Sequence, residues 1–276
     1  MDLKVTDTDP RPLLEPTVEI GREAAARILE VYNSDFAVTS KEDRSPLTAA
    51  DMAAHKTICA GLADLTPSVP VLSEESANVP YAERARWAEY WLVDPLDGTR
   101  EFVKKNGEFT VNIALVRGHR PVLGVVVVPV RNCAYFACRG HGAFRQDGGG
   151  LAQSIATRKT DLRKLTAVGS RSHGSELTER FLGNLGKNVE ILHIGSALKF
   201  CLVAEGRADV YLRLGPTSEW DTAAAQCLVE EAGGRVTELN LEPLTCNRKE
   251  SLLNPSFLVA GDRDFDWGPY LPQAAL

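Results

Sequence analysis

Two carboxylates three residues apart, Asp94 and Asp97, are followed at once by Gly98 and Thr99, and together they end the apolar run that begins at Trp91. A buried strand that runs into such a turn presents hard oxygen ligands. Asp94, Asp97 and the carbonyl of Leu96 between them suit cations of the Mg²⁺ type, which bind through few carboxylates, retained waters and substrate phosphate. Gly98 and Thr99 open a short helical turn, whose unpaired N–H groups and positive dipole end suit a phosphate. Further acids stand at the ends of predicted elements: Asp51, Glu74, Glu75 and Asp221. A Glu from another strand end and an Asp from a helix N-terminus would complete the ligand shells. Hydroxyls and cations recur in the second half, in Ser170-Arg171-Ser172-His173 after a strand, Ser196-x-x-Lys199 at a helix start and Arg213 at a strand end. That mixture suits a second phosphate or a sugar.

Each of these residues also has a plain structural role open to it. Asp94-Pro95 and Asp97-Gly98 are turn-forming pairs. Thr48-x-x-Asp51 and Ser218-x-x-Asp221 both fit a capping box. Glu74 and Glu75 fit a solvated loop, Ser170–His173 a polar loop, and Lys199 and Arg213 snorkelling surface residues. Turn chemistry accounts for Pro95 and Gly98 but not for an apolar strand running straight into two acids. Other chemistries lack support. There is no G-x-S-x-G and no P-loop lysine motif. The six cysteines (Cys59, Cys133, Cys138, Cys201, Cys227 and Cys246) are scattered without a C-x-x-C pair and read as reduced core thiols, not as disulfide or zinc ligands. His55, His119, His141 and His193 are not spaced as metal ligands and read as structural or surface residues.

The elements that must position the acids follow from periodicity. Val18, Ala24, Ala25, Ile28, Val31 and Tyr32 mark a helix entered at Pro16. Lys41–Pro46 reads as a loop, and Thr48 opens a second helix with Met52, Ile58, Cys59 and Leu62 inward. Val69–Leu72 is a short strand that delivers Glu74. Tyr81–Glu89 is a charged surface helix or loop, and Arg100–Lys105 is a helical turn closed by Asn106-Gly107. Phe109–Leu115, Val122–Val130 and Cys133–Cys138 read as an antiparallel meander. Beyond Gly148-Gly149-Gly150 the order alternates: strand Thr166–Gly169, helix Glu176–Leu185, strand Val189–Ile194, helix Ala197–Glu205, strand Ala208–Leu214, helix Asp221–Ala232 and strand Phe257–Ala260. This predicts an α/β layer. The triple glycine divides the chain into residues 1–150, an α+β half with most of the candidate metal ligands, and residues 151–276, an α/β half with the candidate contacts to a second phosphate or sugar.

The whole chain fits that reading. Its 276 residues are 44% hydrophobic and 25% charged, enough for a sizeable core. A net charge of -6 with both signs interspersed argues against a nucleic-acid or acidic-membrane binder. No cationic leader with an apolar stretch follows Met1, and the longest apolar run, Val122–Val130, is strand length. The expectation is a cytoplasmic protein without a transmembrane segment, a monomer or homodimer acting on a small molecule, with peripheral contact at the inner membrane left open.

Three blocks carry a family resemblance: Glu74-Glu75-Ser76, Asp94-Pro95-Leu96-Asp97-Gly98-Thr99, and Trp220-Asp221-x-Ala223-Ala224. In order and placement they resemble the signature blocks of the inositol monophosphatase superfamily, and the resemblance spans about Thr48 to Gly234. It implies a layered αβαβα sugar-phosphatase fold and a lithium-sensitive phosphomonoesterase holding two or three Mg²⁺ ions. Arg100-Glu101-Phe102 through Asn106–Ala114, Gly169–His173, and Gly195–Phe200 with Ala208–Tyr211 resemble the bacterial CysQ-type 3′(2′),5′-bisphosphate nucleotidases within it. That branch removes the 3′-phosphate of adenosine 3′,5′-bisphosphate in sulfate assimilation. Carried onto this chain, the resemblance gives one ion to Glu74, Asp94 and the Leu96 carbonyl, a second to Asp94, Asp97 and Asp221, and a third to Glu74 and Asp51 through waters. It makes Asp51, Thr99 and Glu74 catalytic, with Asp51 accepting a hydrogen bond from Thr99. Gly98, Thr99, Ser170, His173, Ser196, Lys199, Arg213 and Asp221 become the substrate contacts. Ala225 and Ala197 depart from the family pattern but remove no ligand. The alternatives are an inositol-1-phosphate or fructose-bisphosphate phosphatase and, in another class, a non-catalytic phosphonucleotide-binding protein.

Overall fold

Alternate residues of each long strand face different cores, and this sets the layers. In the computed structural model, which describes residues 8–34, 45–169, 176–186 and 188–272, strand β2 (Glu89–Asp97) follows helices α1 (Leu14–Tyr32) and α2 (Ser45–Leu65), strand β1 (Val71–Ser73) and helix α3 (Tyr81–Arg84). After β2 come α4 (Thr99–Val103), then β3 (Thr110–Arg117), β4 (Arg120–Val128), β5 (Cys133–Cys138), β6 (Ala143–Asp147) and β7 (Gln153–Ile155). These strands form one seven-stranded sheet in the order β1 to β7, antiparallel except for the β1–β2 pair. Its outer face, with Trp91, Val93, Ile113, Leu115, Val125 and Val127, packs against Ile28, Ile58 and Leu62 of α1 and α2. Its inner face, with Tyr90, Leu92, Ala114, Val116, Val126 and Val128, belongs to a second core. Burial of both faces explains why β2 to β4 read as continuous apolar runs.

The remaining elements are β8 (Thr166–Gly169), α5 (Glu176–Leu185), β9 (Glu190–His193), α6 (Leu198–Ala204), β10 (Val210–Arg213), α7 (Glu219–Glu231), β11 (Arg235–Glu238) and β12 (Phe257–Ala260). The second sheet runs β11-β12-β10-β8-β9 and is mixed, because β12 is antiparallel to both of its neighbours. Val168, Tyr211, Phe257 and Val259 face the central core, where α6 and α7 lie between the sheets. Ala167, Val210, Leu212, Leu258 and Ala260 face outward to Phe181 and Leu185 of α5 and to Trp267. The layers are therefore αβαβα, as the resemblance implied. Approach between layers is close where α7 crosses the first sheet: a Cβ on Gly124 of β4 would lie 2.1 Å from the Ala224 carbonyl oxygen.

Most predicted elements are present: Cys133–Cys138, Thr166–Gly169, Glu176–Leu185 and Phe257–Ala260 keep their predicted ends, most others shift by a few residues, and the predicted Tyr81–Glu89 segment stops at Arg84. The second helix starts at Ser45, so the end of the predicted 41–46 loop is helical; residues 41–44 lie outside the described residues. Strands β6, β7 and β11 had no counterpart in the sequence reading. Their burial is partial, so they lack the clean alternation of a half-buried strand. Strand β7 pairs with β6 and carries the first sheet past the triple glycine.

Candidate active site

The geometry begins at the end of β2. Ser73 of β1 pairs with Val93, so the residue after each, Glu74 and Asp94, leave neighbouring parallel strands side by side. On its other edge β2 pairs Asp94 with Asn112 and Asp97 with Thr110, and the register breaks between them. Pro95, which lacks an N–H, falls in this bulge. The Leu96 N–H donates to Asp94 Oδ1 at 3.0 Å, folding that carboxylate back over the bulge. Thr110 Oγ1 lies 3.5 Å from Asp97 Oδ2. Gly98 then takes φ +93 as the cap of α4; a Cβ there would stand 3.0 Å from the Glu108 carbonyl and 3.2 Å from Ser196 Cβ, so only glycine fits.

Two helices bring the other acids. Asp221 lies in the first turn of α7, where its Oδ2 accepts the Ser218 N–H at 2.9 Å. The capping interaction and a place at the acid cluster therefore coexist in one side chain. A buried network holds this helix end. Both Glu219 oxygens accept the Asn247 N–H, at 3.0 and 2.9 Å, Asn247 Nδ2 donates to the Arg84 carbonyl at 2.7 Å, and Asn254 Nδ2 donates to the Ser218 carbonyl at 2.7 Å. Asp51 differs from its predicted setting. The helix begins at Ser45, so Thr48 and Asp51 are interior and form no capping box at its start. Asp51 is buried, with Oδ1 lacking a hydrogen-bond partner. The expected Thr99–Asp51 hydrogen bond is absent among the described residues, although α4 packs beside α2.

Electrostatics show how closely these acids crowd. Burial raises the Asp51 carboxyl to about 8, with Glu75 and Glu74 adding repulsion. Asp94, fully enclosed, is pushed well above the carboxylate range by burial and then by Asp97, Asp221, Glu74 and Asp51. Glu74 rises through burial and Glu75. Asp221 reaches about 7 through burial and Asp97. Asp97 is raised by burial, with Lys199 and the Ala197 N–H pulling the other way. The donors are all oxygens, and one buried oxygen is unpaired, so the cluster fits hard divalent cations. Among the described residues, no three of these carboxylates bring oxygens within 4.8 Å of one another. That spacing suits ions that share ligands and keep waters, not one closed cage.

The cluster opens into a cavity of about 360 Å³ whose wall includes Asp97, Gly98, Thr99, Glu101, Ser196, Lys199, Tyr211, Arg213, Thr217 and Asp221. Ser196 has φ +48, and its buried Oγ lacks a partner. Lys199 Nζ donates to the Ser196 carbonyl at 2.7 Å and lies 5.7 Å from the centre of the Tyr211 ring. Burial lowers its affinity for a proton, while Asp97 raises it. Arg213 is aimed by its own chain, with Nε donating to the Gly215 carbonyl at 3.1 Å and Nη2 to that of Pro216 at 3.0 Å. Of the expected substrate contacts, Gly98, Thr99, Ser196, Lys199, Arg213 and Asp221 thus share one cavity. Ser170 and His173 lie outside the described residues. Sequence reasoning missed the roles of Glu75, Glu101 and Tyr211. Glu75 sits in the Glu74-Glu75-Ser76 block, but nothing in spacing tells it from Glu74.

The inositol monophosphatase family model matches residues 9–263. The chain is 47% identical over 250 residues to the 3′(2′),5′-bisphosphate nucleotidase CysQ of Escherichia coli K12, covering 90% of this chain and 99% of that protein. The crystal structure of CysQ from Bacteroides thetaiotaomicron superposes with a TM-score of 0.82 at 42% identity, covering 91% of this chain and 97% of the other. Mycobacterium tuberculosis SuhB superposes at 0.71 with 27% identity, covering 92% and 93%.

Proposed function

The chain belongs to the inositol monophosphatase family, enzymes that are metal-dependent phosphatases, and we propose that it is a Mg²⁺-dependent phosphomonoesterase that removes the 3′-phosphate of adenosine 3′,5′-bisphosphate to give AMP, within sulfur assimilation. The observation that carries the reading is that acids of the cluster and two cations line one cavity. Five crowded carboxyls gather around the β2 bulge, and two of them, Asp97 and Asp221, line the cavity together with Lys199 and Arg213. A monophosphate needs the first group alone; a substrate with a second phosphate uses both. The two CysQ proteins support the nucleotide assignment by identity over nearly their whole length.

In this reading Glu74, Asp94 and the Leu96 carbonyl hold one ion, Asp94, Asp97 and Asp221 a second, and Glu74 with Asp51 a third through waters. Bound ions polarise the phosphoryl oxygens and make water acidic enough to attack near neutral pH. The chain's own groups do the rest. The Gly98 and Thr99 N–H groups hold the scissile phosphate at the start of α4. Thr99 Oγ1 orients the attacking water, and Asp51, unpaired at Oδ1 beside α4, is assigned as its proton acceptor, with the Thr99–Asp51 hydrogen bond closing only once substrate and ions are bound. Ser196 Oγ, Lys199 and Arg213 receive the ribose and the 5′-phosphate, with Ser170 and His173 assigned to the same task. Residues 1–150 thus form the metal-binding part, apart from Asp221, and residues 151–276 form the recognition part.

The test compares Mg²⁺-dependent phosphate release from adenosine 3′,5′-bisphosphate, inositol 1-phosphate and fructose 1,6-bisphosphate, with and without Li⁺. The nucleotide is expected to give the highest kcat/KM and to be inhibited by Li⁺. A higher value for either other substrate would overturn the nucleotide assignment. Absence of release from all three would overturn the catalytic reading.

A further inference from the structure

A second group of potential ligands sits far from the carboxylate cluster. Cys138 ends β5 and pairs with Leu123, which pairs with Leu115, which pairs with Trp91; this is the end of β2 away from Asp97. The turn after β5 closes with the His141 N–H donating to the Cys138 carbonyl at 2.9 Å. Glu231 of α7 fixes that turn from outside, since its Oε2 accepts the Gly140 and Gly142 N–H groups at 2.9 and 3.1 Å. The segment before α1 crosses the same place. Its Thr8 carbonyl accepts a hydrogen bond from Arg117, and Asp9 Oδ1 accepts the Arg11 N–H at 2.9 Å and lies 3.2 Å from His141 Nε2. One ligand atom each from Asp9, Cys138 and His141 lies within 4.8 Å of the other two.

We propose that Asp9, Cys138 and His141 form a binding site for a borderline-soft divalent cation of the Zn²⁺ type, which clips the segment before α1 to the turn between β5 and β6. A tetrahedral ion with bonds of about 2.0 Å to N and O and about 2.3 Å to S places one sulfur and two lighter ligand atoms about 3.3–3.5 Å apart. The Asp9–His141 separation is already close to that, and the thiol needs to approach by no more than about 1.3 Å to meet it. Sulfur, imidazole and carboxylate together select such an ion over Mg²⁺, which prefers the all-oxygen cluster. Cys138 is fully buried, whereas the Asp9 and His141 side chains are 57% and 32% exposed, so the fourth position opens to solvent for water.

A surface ion pair between Asp9 and His141 alone contributes little and gives no role to the sulfur beneath it. As a bare thiol Cys138 is inert, pushed up to about 11 by burial and by Asp9 and Glu231, against a smaller opposing effect of Arg117 and Arg11. A cation between the thiol and Asp9 reverses that balance, and the thiol proton leaves to solvent as the ion binds. Asp9 is more than a hundred residues from the turn in sequence, which is why the cysteines and histidines, read one by one, gave no metal spacing.

The test titrates the full chain with Co²⁺ in excess Mg²⁺ and reads thiolate-to-cobalt charge transfer in the near ultraviolet. One equivalent is expected to produce the band. Cys138→Ser is expected to abolish it, and His141→Ala to weaken Co²⁺ affinity more than about 100-fold. Cys59→Ala, which removes another thiol near an imidazole (Cys59 Sγ is 3.6 Å from His55 Nδ1), should leave the band unchanged. No thiolate band, or a band that survives in Cys138→Ser, would overturn the proposal. As a second measurement, Zn²⁺ in excess Mg²⁺ should raise Tm of the wild type and not of His141→Ala, whose site lies in an exposed turn. Equal shifts in both would also overturn it.

Discussion

Replacing Asp51 with asparagine separates the electrostatic and catalytic roles of the acid cluster. In the folded protein without bound cations, the Asp51 carboxyl is raised to about 8 from an ordinary 3.8, by burial and then by Glu75 and Glu74. An acid held above its unfolded value contributes stability that is fully present below about pH 4 and is lost as pH rises through about 8. At about 1.4 kcal/mol per tenfold change in proton affinity, the whole displacement corresponds to about 6 kcal/mol. Burial is the leading cause, and the titration is shared with Glu75 and Glu74, so ~3 kcal/mol is ascribed to Asp51 itself. That is a large part of the 5–15 kcal/mol that holds a typical domain folded. Asparagine matches the protonated acid in shape and never ionises. In urea unfolding with EDTA, the wild type should lose about 2 kcal/mol more than Asp51→Asn between pH 5 and pH 9, since about a third of the displacement lies below pH 5. Saturating Mg²⁺ should flatten the wild-type profile, because the ions keep the carboxylates ionised. Phosphate release by the variant should fall at every pH. Equal pH slopes for the two proteins in EDTA would refute the crowding argument.

Asp97→Asn should lower kcat for phosphate release at least about 100-fold at saturating Mg²⁺ with an unchanged circular dichroism spectrum; turnover near wild type would remove Asp97 from the ion ligands. Lys199→Ala should raise KM for adenosine 3′,5′-bisphosphate about 10- to 100-fold, the scale of a charged hydrogen bond, and much less for a substrate lacking the 5′-phosphate. Equal increases would show that Lys199 does not read the second phosphate. Gly124→Ala should cost at least about 2 kcal/mol in urea unfolding, because the new Cβ meets the Ala224 carbonyl of α7; an unchanged midpoint would mean that α7 can move off the sheet.

The reaction-bearing half was legible in the sequence because its signal is local. Asp94, Leu96, Asp97, Gly98 and Thr99 lie within six residues, and one bulge with one left-handed glycine turns that spacing directly into geometry. Glu74 was legible for a related reason: it follows a short strand, and a parallel partner carries it to Asp94. Asp51 was only half legible. Its type and position pointed to the cluster, but the helix begins three residues earlier than the predicted opening at Thr48, which turns a supposed cap into a buried acid on an interior turn. No propensity marks that difference, because Ser45 and Pro46 suit a loop as well as a helix start. The αβαβα order was legible in outline. The weak strands β6, β7 and β11 were not, since they owe their place to strong neighbours more than to their own patterns.

Recognition of the substrate was least legible because it depends on contacts between distant segments. The Gly195 N–H donates to Glu108 Oε2 at 2.9 Å, and Ser196 closes against Gly98, so the loop before α6 is set by the loop after α4. Lys199 reaches the cavity only because its ammonium turns back onto the Ser196 carbonyl, and Arg213 only because Gly215 and Pro216 bend their carbonyls to it. Each of those residues, read alone, is an ordinary basic residue near an element end. In the proposed reading they become a site because the same close packing which demands glycine at position 98 also sets the loop that carries Ser196 and Lys199 into the cavity. Substrate choice in this chain should therefore respond to substitutions at Gly98 and Glu108, which carry no positive charge, as well as to substitutions at Lys199 and Arg213.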